Sequence, residues 1–158
     1  MQVRVGYVVA LLAVLFLGFG VVVYLVRADQ AAANAQPAPQ PRLYTETIDG
    51  AFTIPHLHDK AYRLAVPVGA KDAVLQGHFT AMGGANNDIE VSLMDDDAFV
   101  NWQNRHSATP VYNSGRVTQG TLNVPLPDAG TYYLIFNNRF SVFSPKAVQD
   151  NVSLTYKR

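Results

Sequence analysis

Two histidines and a run of three aspartates are the side chains whose types and spacing could hold a metal ion. His56 and His58 lie two residues apart and precede Asp59, so on a strand the two rings would share one face and could begin a zinc site. No third ligand follows at a suitable spacing, and the alternative is a pair of exposed loop histidines after Pro55. The aspartates at 95–97 lack the spaced ligands and central glycine of a calcium loop. We therefore predict no metal site and no cofactor.

Sequence motifs of known catalytic centres do not occur in this chain. It has no G-x-S-x-G nucleophile elbow, no H-E-x-x-H helix, no phosphate loop and no G-x-G-x-x-G. It also has no cysteine, which excludes cysteine nucleophiles, thiolate metal sites and disulfides. We predict that the protein is not an enzyme; a metal-dependent enzyme built on His56, His58 and the acidic run is the weakest function hypothesis.

Trp102, the only tryptophan, is the main candidate for contact with a ligand. It lies in a polar stretch, 101–107, where it either presses onto a sheet as a lid or offers a flat ring for a sugar or peptide to stack on. Phe99 stands three residues before it. One of the aspartates at 95–97 can cap a short helix that puts both rings on one side.

The segment 132–136 is apolar or aromatic at every position, so both faces of that strand need cover. Either the Trp102 region or the segment 140–143 covers the second face, or the strand presents an aromatic patch to a partner. The asparagines at 137–138 are turn residues that tolerate left-handed backbone conformations, which leaves Arg139 exposed as a solvated charge or a ligand contact. The predicted ligand-binding residues are Phe99, Trp102, Tyr133, Arg139 and Phe140.

Alternation of apolar and polar residues recurs through residues 42–158 and predicts a β domain. Together with a short strand near 52–54 and the run 130–136, it indicates seven or eight strands, joined by segments rich in Gly, Pro, Asn and Asp. We predict an all-β fold, an antiparallel β-sandwich of GOLD-like or jelly-roll-like type. The alternating apolar positions are Tyr62, Leu64, Val66 and Val68; Leu75, Phe79 and Ala81; Ile89, Val91 and Leu93; Leu122, Val124 and Leu126; and Val152, Leu154 and Tyr156.

The last part of the domain resembles the final hairpin of GOLD domains, the β-sandwiches of the p24 cargo-receptor family. That family shows a Gly and aromatic pair at the start of a strand, an Asn before a Phe-Ser turn, and Ser-x-Lys-x-Val at the start of the last strand. The resemblance covers about a fifth of the chain and implies a GOLD-like sandwich with a protein-binding or lipid-binding role. The matching residues are Gly130, Tyr132, Asn138, Phe140, Ser141, Ser144, Lys146 and Val148.

The N-terminal segment 5–26 is uncharged and lies between Arg4 and Arg27. As a helix it would span roughly 33 Å, which matches the apolar core of a bilayer. We predict that the lipid bilayer is its partner. The predicted organisation is a transmembrane anchor at 1–27, an Ala/Gln/Pro-rich linker at 28–41 and the β-sandwich domain at 42–158.

The alternative to a retained anchor is a secretory signal cleaved after Ala35, where residues 33–35 have an A-x-A arrangement. The apolar stretch is longer than the roughly 7 to 15 residues of a signal core, which favours a single-pass anchor. The short N-terminal tail predicts a cytoplasmic N-terminus and a periplasmic or extracellular domain.

The charge balance argues against a nucleic-acid partner, because residues 42–158 contain ten Lys and Arg against eleven Asp and Glu, with no basic run. Two function hypotheses of different classes remain. The first is a membrane-tethered module that binds a protein or a lipid headgroup. The second is a carbohydrate-binding or cell-envelope adhesion domain that uses the same aromatic residues.

Overall fold

The computed structural model describes residues 40–84 and 86–158, which form eight strands and one short helix. The predicted membrane segment at 5–26 lies outside these residues, and within them no helix is both long and apolar enough to cross a membrane. The elements are β1 (Leu43–Ile54), β2 (Asp59–Val66), β3 (Lys71–Met82), β4 (Ile89–Asp95), α1 (Asp96–Gln103), β5 (Tyr112–Val117), β6 (Gln119–Pro125), β7 (Gly130–Asn137) and β8 (Lys146–Lys157).

The strands form two four-stranded sheets in which every neighbouring pair is antiparallel. One sheet has the order β1-β8-β3-β6 and the other has the order β2-β7-β4-β5. Their inward faces share one hydrophobic core, in which the rings of Phe52, Tyr62 and Phe79 pack edge-on around Phe136 with centroids 5.3 to 6.1 Å apart. The predicted all-β, antiparallel class is therefore confirmed.

The alternating pattern identified the buried face of most strands but misjudged two segments. Val68 lies in the turn after β2 and is exposed, so its assignment to that strand was wrong. β5 was missed because its sequence, YNSGRV, is mostly polar and its pairing with β4 is interrupted between Glu90 and Ser92. An edge strand that buries little surface gives a weak apolar signal.

One acidic side chain, Asp150, lies on the inward face of β8 between Val148 and Val152 and is only 1% exposed. Among the residues that the structure describes, neither of its carboxylate oxygens has a hydrogen-bond partner. Burial disfavours the charged form and raises the pKa of this carboxyl. The backbone of Gly50 and the charge of Lys60 offset part of this effect, but the net result is a carboxyl whose charged form is disfavoured in the core.

Strand register fixes which loops lie at the same end of the domain. Leu43 pairs with Lys157 at one end of β1, and Ile54 pairs with Lys146 at the other. β2 begins at Asp59, opposite the last residue of β7. The β1–β2 loop and the β7–β8 loop therefore meet at one end, and the chain joins β1 at the opposite end.

Candidate functional site

α1 begins at an aspartate cap, as the sequence predicted. Asp95 has an extended backbone, and its Oδ1 accepts a hydrogen bond of 2.8 Å from the backbone N of Ala98. Asp96 and Asp97 place negative charge in the first turn, where it interacts favourably with the helix dipole. The helix ends where the Asn104 side chain donates to the Val100 carbonyl.

α1 covers the outer face of β4 and β7 with a second, smaller hydrophobic cluster. Its buried members are Met94, Ala98, Phe99 and Ile135, and Trp102 and Tyr133 pack against them half-buried. The Trp102 region thus provides the intramolecular cover that the apolar segment 132–136 required. By contrast, Phe143 in the other candidate segment is 89% exposed.

Four of the five predicted ligand-binding residues form one continuous stack. The Tyr133 and Phe99 rings lie 3.9 Å apart at 13°, and the Phe99 and Trp102 rings lie 6.1 Å apart at 19°. The guanidinium Cζ of Arg139 lies 4.2 Å from the centre of the Trp102 ring, within the range of a cation–π interaction. Of these four residues, only Trp102 and Arg139 line a groove at the surface.

A carboxylate holds Arg139 in this position. Its Nε donates to Asp59 Oδ1 at 2.6 Å, and its backbone N donates to Asn137 Oδ1. The side chains of Arg139 and Asp59 are 39% and 18% exposed. Within the described part of the chain, no acceptor bonds to the two terminal nitrogens of the guanidinium, so those donors are available to a ligand.

The accessible residues line an open groove of about 810 Å³, which we call the binding groove. It combines one aromatic ring with a largely polar and cationic wall. Its lining residues are Leu57, His58, Asp59, Trp102, Gln103, Arg105, His106, Asn137 and Arg139.

Asn138, which the sequence indicated as a turn residue able to adopt the left-handed backbone, is completely buried and does not have that conformation. Its Nδ2 donates to the carbonyls of Ile54, Pro55 and Ser144 at 3.0 to 3.3 Å, and its backbone N donates to the His58 carbonyl. One side chain thus fixes both loops that carry the binding groove. In the sequence, the indication that Asn138 matters was its position before the Phe-Ser pair of the GOLD-like pattern.

Phe140, the fifth predicted residue, lies in a different groove of about 270 Å³, which we call the loop groove. Its ring is 4.0 Å from the Arg116 guanidinium. The neighbouring Lys146 is only 3% exposed and donates to Asp88 at 2.8 Å and to the Gly83 carbonyl at 2.9 Å. The hydrogen bond from Lys146 holds the pKa of Asp88 below its ordinary value.

The two histidines of the metal hypothesis lie in the exposed loop between β1 and β2, and not on a strand. The Nδ1 of His58 is 2.8 Å from the carbonyl oxygen of His56. Within residues 40–84 and 86–158, no three His, Cys, Asp or Glu side chains assemble into a possible ligand set. Of the pair, His58 alone lines the binding groove.

Comparison with known proteins gives only remote similarities. No protein-family model matches the chain, and no curated protein matches it. A chain of the Bacillus endospore appendages, which are disulfide-linked pili, is 9% identical with a TM-score of 0.48, over 78% of this chain and 95% of that one. PliG of Aeromonas hydrophila, a periplasmic inhibitor of g-type lysozyme, is 13% identical with a TM-score of 0.37, over 78% and 93%.

Proposed function

We propose that this protein is a membrane-tethered, extracytoplasmic binding module whose ligand site is the binding groove, and that its ligand belongs to a partner protein. The observation that supports this most directly is the placement of Arg139. Its guanidinium is held between the Trp102 ring and the Asp59 carboxylate, and its terminal nitrogens have no acceptor among the described residues. Tryptophan and arginine are among the residue types enriched at energetically important positions of protein interfaces, and the groove places one of each side by side.

The GOLD-like resemblance supports a protein-binding or lipid-binding role for the same region. The Asn of that pattern is Asn138, whose amide ties together the two loops around the groove. The proposal therefore includes a GOLD-like sandwich and assigns no catalytic or cofactor role to it.

The proposed tether is the apolar segment 5–26, with the N-terminus in the cytoplasm. The linker at 28–41 then joins the domain at the start of β1. The register puts the groove at the other end of that strand from Leu43.

Carbohydrate binding is the second candidate, and it has its own supporting observation. The groove sets a tryptophan beside the polar side chains of Gln103, Asn137 and Asp59, a combination that suits sugar hydroxyls. However, Arg139 already lies on the Trp102 ring, so a stacked sugar would have to displace it. This competition makes a protein ligand the preferred alternative.

Affinity capture from native membranes tests the proposal with full-length tagged protein, its Trp102→Ala and Arg139→Ala variants, and a matched Phe143→Ala control. Phe143 is an exposed aromatic residue outside the binding groove. We expect a partner that the wild type and the control retain and both groove variants lose. A partner profile unaffected by either groove substitution would contradict the proposal.

A glycan array with the same four proteins tests the second candidate. Saturable glycan binding that Trp102→Ala abolishes, in the absence of a groove-dependent protein partner, would replace the protein ligand with a carbohydrate.

A further inference from the structure

We propose that the binding groove recognises a carboxylate, supplied by an acidic peptide segment of the partner. This inference rests on the proposed function and names the chemistry of its ligand. It follows from the orientation of one guanidinium, from the charges of the groove, and from the rigidity of the stack beneath.

The orientation of Arg139 leaves one defined set of donors for a ligand. A guanidinium is planar and carries five N–H donors in a fixed fork. The Nε donor is bonded to Asp59, and no acceptor among the described residues bonds to the two terminal nitrogens. Two parallel donors at the end of the fork match the two oxygens of a carboxylate.

The charges of the groove fit a ligand with a single negative charge. Of its lining residues, Arg105 and Arg139 are cationic and Asp59 is anionic, which leaves one positive charge in excess when the histidines are neutral. A carboxylate compensates that excess, whereas a phosphate group carrying two charges exceeds it. Asp59 also repels an anion that approaches the Nε side, and so directs the ligand to the terminal nitrogens.

The aromatic stack under Arg139 restricts the conformations of its side chain before a ligand binds. Trp102 packs against the small cluster under α1, and Phe99 and Tyr133 continue the stack toward the sheet. An arginine already fixed on this support loses little side-chain entropy when it binds, which is the general advantage of preorganisation. Lysine has neither the planar fork nor the stacking face. The substitution Arg139→Lys therefore tests whether binding depends on the guanidinium geometry or on positive charge alone.

Trp102 provides the readout, because it is the only tryptophan of the chain and lies directly under Arg139. Full-length protein in phosphatidylcholine nanodiscs is titrated with a capped oligoglutamate peptide while tryptophan emission is recorded. A capped oligoglutamine peptide, an oligoglucuronate and inorganic phosphate are titrated in parallel. Arg116→Lys is the matched control variant, since Arg116 also stacks on an aromatic ring but belongs to the loop groove.

We expect a saturable change of emission with oligoglutamate and none with oligoglutamine. Arg139→Lys should weaken this binding about tenfold or more, and Arg116→Lys should leave it unchanged. Equal binding of oligoglutamine, equal binding by Arg139→Lys, or a preference for phosphate or oligoglucuronate over the peptide would overturn the inference. If the acidic peptide fails while membrane capture still depends on Arg139, the carboxylate inference fails and the proposed function stands. If capture does not depend on Arg139, the proposed function itself fails.

Discussion

Two grooves border the loop between β7 and β8, and each contains an arginine stacked on an aromatic ring. In the binding groove Arg139 lies on Trp102, is 39% exposed and is bonded through Nε to Asp59. In the loop groove Arg116 lies on Phe140, but the cation beside it, Lys146, is buried and donates to Asp88 and to the Gly83 carbonyl. Similar residue types thus have different surroundings in the two grooves: Arg139 is partly exposed, as its proposed role in recognition requires, whereas Lys146 is buried in an ion pair.

The largest expected effect is on the buried ion pair of the loop groove. Asp88→Ala leaves the ammonium group of Lys146 buried without its counter-charge, and we expect a loss of about 3 kcal/mol in the free energy of unfolding. Urea denaturation followed by circular dichroism measures it. The double variant Asp88→Leu, Lys146→Met is the control and should recover most of the loss, because it removes both charges. A single variant as stable as the wild type would show that the pair is not structural.

Asp150 contrasts with Asp88. It is a buried carboxylate whose oxygens have no hydrogen-bond partner among the described residues. We expect Asp150→Asn to raise the free energy of unfolding at neutral pH by about 1 kcal/mol or more, because it removes a desolvated charge. The raised pKa of Asp150 in the folded state means that its destabilisation develops as the pH rises from the ordinary value of 3.8 through the folded value. The gain in the free energy of unfolding should therefore vanish below that window.

The pH dependence that Asp88 contributes runs in the opposite direction. Its lowered pKa gives stability that is lost as the pH falls through its folded value.

Denaturation of the wild type and the Asp150→Asn variant across a pH series measures this difference. A gain that is the same at acid and neutral pH would contradict the assignment to a buried charge.

A smaller effect is expected from Phe99→Leu, which keeps the apolar cover of the outer cluster but removes the ring between Tyr133 and Trp102. We expect a loss of about 1 kcal/mol from the aromatic stacking, together with weaker partner capture because Trp102 and Arg139 lose their support. Denaturation and capture are measured on the same preparation. Unchanged capture would show that the stack beneath Trp102 does not contribute to the groove.

The smallest effect on stability is expected from Asp59→Asn in the binding groove. An ion pair this exposed contributes about 1 kcal/mol at most, so thermal and urea transitions should hardly move. Trp102 emission should change nonetheless, because the neutral amide of asparagine accepts a weaker hydrogen bond from Arg139 than the carboxylate does and holds the guanidinium less firmly on the ring. A large loss of stability would remove the contrast between the two grooves.

The sequence could predict those parts of the fold in which one local pattern decides the structure. Ile89, Val91 and Leu93 alternate because they lie on the face of β4 that packs in the shared core, and the aspartate cap of α1 depends only on the next three residues. It could not predict β5, whose polar residues bury little surface. Edge strands of this kind are recognised from their partners more than from their own side chains.

The candidate site shows the same division between local and distant contacts. Phe99 and Trp102 were paired correctly because they lie three residues apart on one helix. The ion pair of Arg139 with Asp59 joins segments that lie far apart in the chain, and so do the bonds of Asn138 to Ile54 and Pro55. Residue type alone gives no measure of such distances, so the sequence identified Asn138 only as a turn residue, and it grouped Phe140 with four residues that lie in a separate stack.

The position of β8 has a consequence for how the domain is made. β8 lies between β1 and β3 in its sheet, and it is the last strand in the chain, with Lys157 pairing back to Leu43. Among the strands that the structure describes, β8 is the only neighbour of β1 in the sheet. During synthesis β1 is therefore available long before β8, the described strand with which it pairs. Pairing over such a sequence separation is slow, and an unpaired strand edge is prone to aggregation. A chain that stops before Lys146 loses the middle of a sheet, and β1 loses its place in the fold.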